Sequence, residues 1–147
     1  MKGRRVPFYR RIASVSAQDF LLFIEAIRYA LAARARLKFI PFKKLAATLG
    51  EHMKETPREP YPDQALLDRV ALATRRSGRY VKIGSRCFVE AITAKKMLAK
   101  RGAPSVIYLG VRKENGELLA HAWLRCGDRI VVGDGGLERF AVVSTFA

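Results

Sequence analysis

Cysteine and histidine are both scarce in this chain, with two of each among 147 residues. Cys87 and Cys126 do not make a disulfide framework, and no CxxC or HExxH spacing exists to hold zinc. Both thiols are therefore expected to be reduced, in a cytoplasmic setting, and no metal is expected. A glycine-rich phosphate loop is missing as well, so no nucleotide cofactor is built into the chain. Acidic residues are few: 13 Asp and Glu against 28 Lys and Arg leave a formal charge of +15. That imbalance implies an acidic partner, whether a carboxylate-bearing peptide, nucleic acid or an anionic membrane surface. The N-terminus is basic (Lys2, Arg4, Arg5, Arg10, Arg11), but no long apolar run follows it. Phe20–Ile24 is short and flanked by Asp19, Glu25 and Arg28, which argues against both a signal sequence and a membrane span.

What is present is a globular composition, half hydrophobic and 28 % charged, enough to bury a core in one domain. The pattern divides into an N-terminal helical region, 1–78, and a part from 79 to 147 that joins one helix to a sheet, an α+β arrangement. Ser16-Ala17-Gln18-Asp19 has the form of a capping box, and Phe20, Phe23, Ile24, Ile27, Leu31 and Leu37 recur at helical spacing, predicting a helix over 17–39. Pro41 stops that helix and opens a second, 41–49, closed by Gly50. Arg28, Arg34, Arg36, Lys38, Lys43 and Lys44 on these helices read as a solvated face or as a dock for an acidic peptide. Pro57, Pro60 and Pro62 mark 51–62 as a loop, with His52 a surface residue at its edge. Asp63 caps a third helix, 63–77, with Leu66, Leu67, Val70 and Leu72 as its apolar side.

The most informative stretch is Ser85-Arg86-Cys87-Phe88-Val89-Glu90-Ala91. Ser85 after Gly84 reads as an N-cap, which places Cys87 in the first turn of a helix that Gly102 and Pro104 end. Unpaired N–H groups and the positive end of the helix dipole favour a thiolate there, the nucleophilic form of cysteine. Cys87, Ala91, Ala94 and Leu98 share one helical face, the face turned toward the protein. A purely structural cysteine would occupy the same face.

After Pro104 the period changes to that of strands. Val106–Val111 and Leu118–Cys126 flank an Asn115-Gly116 turn, and Gly127-Asp128 turns the chain back into Arg129–Asp134, an antiparallel meander that Phe140–Thr145 can extend. Counting outward from the first turn sets Gly110 opposite His121; counting from the second sets Asp134 opposite His121, with Cβ atoms about 4.5–5.5 Å apart. Gly110 leaves room for a ring or a substrate beside the imidazole. Trp123 lies on the same face, as core or pocket wall, while Ile107, Leu109, Val111, Ala120, Ala122, Leu124 and Val131 make the opposite, apolar face. An extra residue in either turn would flip these assignments.

A helix-borne cysteine followed by a histidine with an aspartate neighbour matches the division of labour of a Cys-His-Asp site. The thiolate of Cys87 attacks, His121 carries the proton and Asp134 orients the ring. The backbone N–H of Cys87 is one oxyanion donor, and Lys82 or Arg86 is a candidate for the second. A basic nucleic-acid- or membrane-binding module, with the three residues together by coincidence, is the rival from another class.

Ser-Arg-Cys-Phe-Val-Glu-Ala, Arg-Gly-Ala-Pro, Leu-Gly-Val-Arg, His-Ala-Trp and Val-Val-Gly-Asp together resemble the lasso peptide leader peptidases, over about residues 80–140. These are stand-alone bacterial cysteine proteases of transglutaminase-like (papain-like) fold. The resemblance implies that Cys87, His121 and Asp134 form the triad and that the substrate is a ribosomally made precursor cut between leader and core. It also implies two partners, a PqqD-like leader-recognition protein and an asparagine-synthetase-like cyclase that closes the macrolactam. It leaves ATP use by the cleavage step open, and a transglutaminase-like amidase or acyltransferase would carry the same residues.

Overall fold

A computed structural model describes residues 16–81 and 85–147. Among these residues four helices precede or underlie a four-stranded antiparallel sheet: α1 (Ala17–Phe39), α2 (Phe42–Ala46), α3 (Gln64–Ser77), α4 (Arg86–Ala99), β1 (Ser105–Glu114), β2 (Glu117–Cys126), β3 (Arg129–Val132) and β4 (Ala141–Phe146). A 3₁₀ turn, Leu137–Arg139, leads into β4. The order across the sheet is β3-β2-β1-β4, so the last strand extends the meander on the β1 side. The basic segment ahead of Ser16 and the Lys82–Gly84 part of the loop before α4 lie outside the described residues.

Helix α1 begins as its sequence demands: Ser16 Oγ accepts from the Asp19 amide at 3.1 Å and donates to the Asp19 carboxylate at 2.8 Å. Its buried side is not the side of the large apolar residues. Leu22, Ala26, Ala30 and Ala33 face the core, while Phe20 and Leu31 are 57 % and 52 % exposed. Helix α1 packs on both α3 and α4, and small side chains are what let helix axes come that close. Arg69 of α3 meets Asp19 at 2.9 Å, and Arg101 forks onto both oxygens of Glu25 at 2.8 and 3.0 Å. The Arg101 guanidinium holds the Glu25 carboxyl below the usual carboxylate range.

The second helix is shorter than its sequence suggests, ending at Ala46. Gly50 does not cap it. It adopts φ +128°, and a Cβ there would sit 1.9 Å from the Ala147 carbonyl, so the glycine is required where the chain crosses its own C-terminus. Glu51 and Ala147 then exchange two backbone hydrogen bonds (2.9 and 3.1 Å). The loop that follows is anchored from below by Arg125, which is 4 % exposed. Its guanidinium donates to Glu55 Oε2 (2.6 Å), Thr56 O (3.0 Å), Tyr108 Oη (2.9 Å) and the Gly127 carbonyl. Helix α3 is capped as expected, Asp63 Oδ1 accepting from the Leu66 amide at 2.9 Å, and it buries Leu67 and Val70 but leaves Leu72 exposed.

Helix α4 is the pillar under the sheet. Ala91, Ala94 and Leu98 are fully buried in a helix that packs on β1, β2 and β3. Met97 is buried toward α3 with its Sδ 3.8 Å from Thr74 Oγ1, and Gly102 (φ +70°) ends the helix with the Ala103 amide bonded to Leu98 O at 3.0 Å. Lys95 on the same helix reaches the ends of two strands, donating to Ser105 O at 2.6 Å and Phe146 O at 3.3 Å.

The first hairpin keeps the register read from its turn, with Gly110 opposite His121. The second does not. Cys126 pairs with Arg129 and Arg125 with Ile130, but the register then shifts and Leu124 pairs with Val132. Val131 is the extra residue of a β-bulge, which lets both Val131 and Val132 bury their side chains (1 % and 0 % exposed). Asp134 is therefore displaced from the position opposite His121.

Two stability tests follow from these contacts. Burial, helped by the charge of Lys96, lowers the Lys95 pKa from 10.5 to about 8. Between those values the unfolded chain holds a proton that the folded chain has released, so stability rises with pH through that window. Urea unfolding at pH 8 and pH 10 should show a rise that is smaller in Lys95→Met; equal rises would rule the shift out. Arg125→Ala should cost about 2–4 kcal/mol in the same measurement, because it strands Tyr108, Glu55 and three carbonyl groups. A loss under about 0.5 kcal/mol would show that the loop holds without it.

Candidate active site

Cys87 is the second residue of α4, in the first turn where the sequence put it. Ser85 is the N-cap residue, but its side chain makes no capping hydrogen bond. Its carbonyl accepts from both Phe88 N (3.0 Å) and Val89 N (3.1 Å), so the amides of Arg86 and Cys87 have no acceptor within the helix. These are the donors available to an oxyanion. The Arg86 side chain is turned elsewhere, its Nε 2.8 Å from Glu90 Oε1, and Lys82 is among the residues not described.

The thiol opens into a cavity of about 370 Å³ whose walls also include His121, Gly110, Phe42, Leu37 and Val143. Three helices and three strands contribute to it, and Ser85, Cys87 and His121 are its polar lining among the described residues. Cys126, the other thiol, is fully buried, and burial pushes its pKa up, which makes it an inert core residue.

His121 stands three residues beyond Leu124, the last residue of β2 that pairs with β3. Its imidazole is packed 5.1 Å from the Phe140 ring and 5.9 Å from that of Trp123, measured between centroids. Its Nε2 lies 2.8 Å from the Gly133 carbonyl oxygen. A carbonyl only accepts, so Nε2 carries the proton and Nδ1 is the basic nitrogen of the neutral ring. No hydrogen bond joins Cys87 to His121 among the described residues: the imidazole packs with Trp123 and Phe140 on the sheet face away from α4, the helix that carries Cys87.

No hydrogen bond joins Asp134 to the imidazole among the described residues. The bulge at Val131 moves it along the chain, and its carboxylate, 67 % exposed, lies 3.4 Å from Arg75 of α3. The place expected for it is taken by the carbonyl of its neighbour. Gly133 makes this possible: at φ +82°, a Cβ would come within 2.5 Å of Ala122 O and 2.8 Å of Trp123 Cα. The position of Gly133 just before Asp134 in Val-Val-Gly-Asp is the signal that the sequence carries of this close backbone approach.

Gly110 does leave space, but Trp123 fills most of it. A Cβ at Gly110 would meet indole carbons at 2.7 and 2.8 Å. Trp123 is a core residue, stacked on Tyr108 with centroids 5.5 Å apart. The two aromatics belong to a second, smaller core on the face of the sheet away from α4, together with Val106 and Phe140. The cavity walls missed in the sequence are Phe42 and Leu37, residues of the first two helices that only the folding of the chain brings to Cys87.

No helix among the described residues is long and apolar enough to cross a membrane. Searches of curated proteins and of solved structures found no match. The sequence profile of the transglutaminase-like superfamily matches residues 28–145, from the middle of α1 to the end of β4. That match takes in the helix-borne cysteine, the strand-borne histidine and the aspartate after β3 in one unit, and by it the chain belongs to the transglutaminase-like superfamily.

Proposed function

We propose that the protein is a cysteine peptidase whose nucleophile is Cys87 and whose base is His121. The observation that carries this reading is the shared cavity: Cys87, with unpaired helical amides around it, and His121 both line it, while the imidazole packs on Trp123 and Phe140 at the sheet face away from α4 and has to turn toward the thiol to act. In this reading the ring turns toward the thiol, and Nδ1, the nitrogen that does not meet Gly133 O, takes the thiol proton and returns it to the leaving amine. Attack on the peptide carbonyl forms a tetrahedral oxyanion that the Cys87 amide can receive, then a thioester, which water hydrolyses. Asp134 completes the triad if its carboxylate exchanges Arg75 for the imidazole, a change that also asks Gly133 O to release Nε2.

The substrate in this reading is the precursor of a lasso peptide, cut between leader and core so that the freed core amine can be closed into a macrolactam. A PqqD-like protein would present the leader and an asparagine-synthetase-like cyclase would use the product, all in the cytoplasm, with no cofactor held by this chain. The positive charge of the molecule suits a carboxylate-bearing peptide. The same fold and thioester also suit acyl transfer to an amine in place of water.

Cys87→Ala should abolish cleavage of a lasso precursor by the full chain, followed by mass spectrometry, while circular dichroism stays unchanged; persisting cleavage would refute the assignment. Added amines should not appear in the products, since their incorporation would identify an acyltransferase. Asp134→Asn should lower kcat by about 10² or more if the carboxylate orients His121 during turnover. Full turnover in that variant would leave the orienting role to the Gly133 carbonyl alone.

A further inference from the structure

The cavity at Cys87 has a neighbour. A second, of about 390 Å³, lies between α2 and β4 and is lined by Lys43, Ala46, Ala47, His52, Ser144 and Phe146 among others. Phe42 forms a wall of both cavities, and the adjacent β4 residues Val143 and Ser144 belong to one each. The two make a trough that runs from the thiol, past Phe42, to His52. Val143 and Phe146 are three residues apart on one strand, so the outer part of the trough is roughly 10 Å long.

Its chemistry changes along that length. Near Cys87 the walls are aliphatic and aromatic: Leu37, Phe42, Phe88, Leu109 and Val143. At the outer end stand Lys43 and His52, and no carboxylate lines either cavity among the described residues. His52 is held in place, its Nε2 2.8 Å from Ser144 Oγ and its ring 5.3 Å from that of Phe146. Lys43 is exposed and takes part in no ion pair among the described residues.

We propose that this trough is the specificity subsite for the peptide substrate. An extended segment lies between α2 and β4, places apolar side chains beside Phe42, and sets one carboxylate side chain against Lys43 and His52. Strand spacing puts that acidic residue roughly three to four positions from the bond cut. The proposal rests on the peptidase reading, which it deepens. A cationic end on an apolar trough without acidic groups selects an acidic residue at one position, which the diffuse charge of the whole molecule cannot do.

The test uses binding, so that it does not depend on turnover. Two fluorescein-labelled octapeptides of alanine and valine, differing only in glutamate or glutamine at one position, are titrated into the Cys87→Ala chain by fluorescence anisotropy. The glutamate peptide should bind about three- to five-fold tighter, the scale of an exposed ion pair. Lys43→Met should erase that preference, Lys43→Glu should transfer it to a lysine peptide, and Phe42→Ala should weaken both peptides alike. Lys113→Met, which removes an exposed lysine at the tip of the β1–β2 hairpin, should leave the preference intact. Equal affinity for the two peptides, binding of neither at millimolar concentration, or an equal effect of Lys113→Met would overturn the subsite. Cleavage by the full chain together with such indifference would sink the subsite and spare the peptidase reading, whereas selective binding without cleavage would do the reverse.

Discussion

The seat of α4 on the sheet is the contact from which the rest of the molecule takes its position. Ala91 and Ala94, both fully buried, let the helix come close to β1 and β2, and Met97 is buried on its α3 side, with Sδ 3.8 Å from Thr74 Oγ1. Lys95 ties the same helix to the start of β1 and the end of β4 through two carbonyl groups. With the helix body clamped in this way, its N-terminus has little freedom. That end carries Cys87 and the unpaired amides, so the orientation of that thiol is a consequence of core packing many residues away.

The sheet carries His121, the base in the proposed reaction, and solves a different problem. β3 pairs with β2 at only three positions of β2, Leu124 to Cys126, which leaves His121 on an open margin of β2, bordered by Gly110 on β1 and by the departing chain at Gly133. The bulge at Val131 favours the core, since two successive valines become buried, and in doing so it re-aims the chain that follows. A backbone carbonyl replaces a carboxylate as the partner of Nε2. The ring is oriented by a group whose position is set by the fold, and the negative charge of Asp134 is spent on Arg75.

Much of this arrangement could be read from residues alone. The ends of α1, α3 and α4, the placement of Cys87 in the first turn and the Gly110–His121 pairing all follow from local chemistry: side-chain caps, a left-handed glycine, an Asn-Gly turn. What escaped was decided by competition between distant surfaces. In α1 the spacing of Phe20, Ile24 and Leu31 suggests an apolar face, yet the alanine stripe wins because two helices press on it at once. In β3 the alternation of side chains gives way to the burial of both valines. Helix α2 stops early, and Gly50 serves a crossing with the C-terminus that lies 97 positions away in sequence and has no local trace.

The order of the chain by itself determined that a cysteine would open a helix and that a histidine would follow on a strand facing a glycine, because caps, turns and side-chain periods act over a few residues. Only the tertiary structure decided which groups meet. The one-residue bulge, the approach of Phe42 and Leu37 to the thiol and the pairing of Asp134 with Arg75 each depend on how well large apolar surfaces fit together. That fit is a property of the assembled core and is not encoded at any single position.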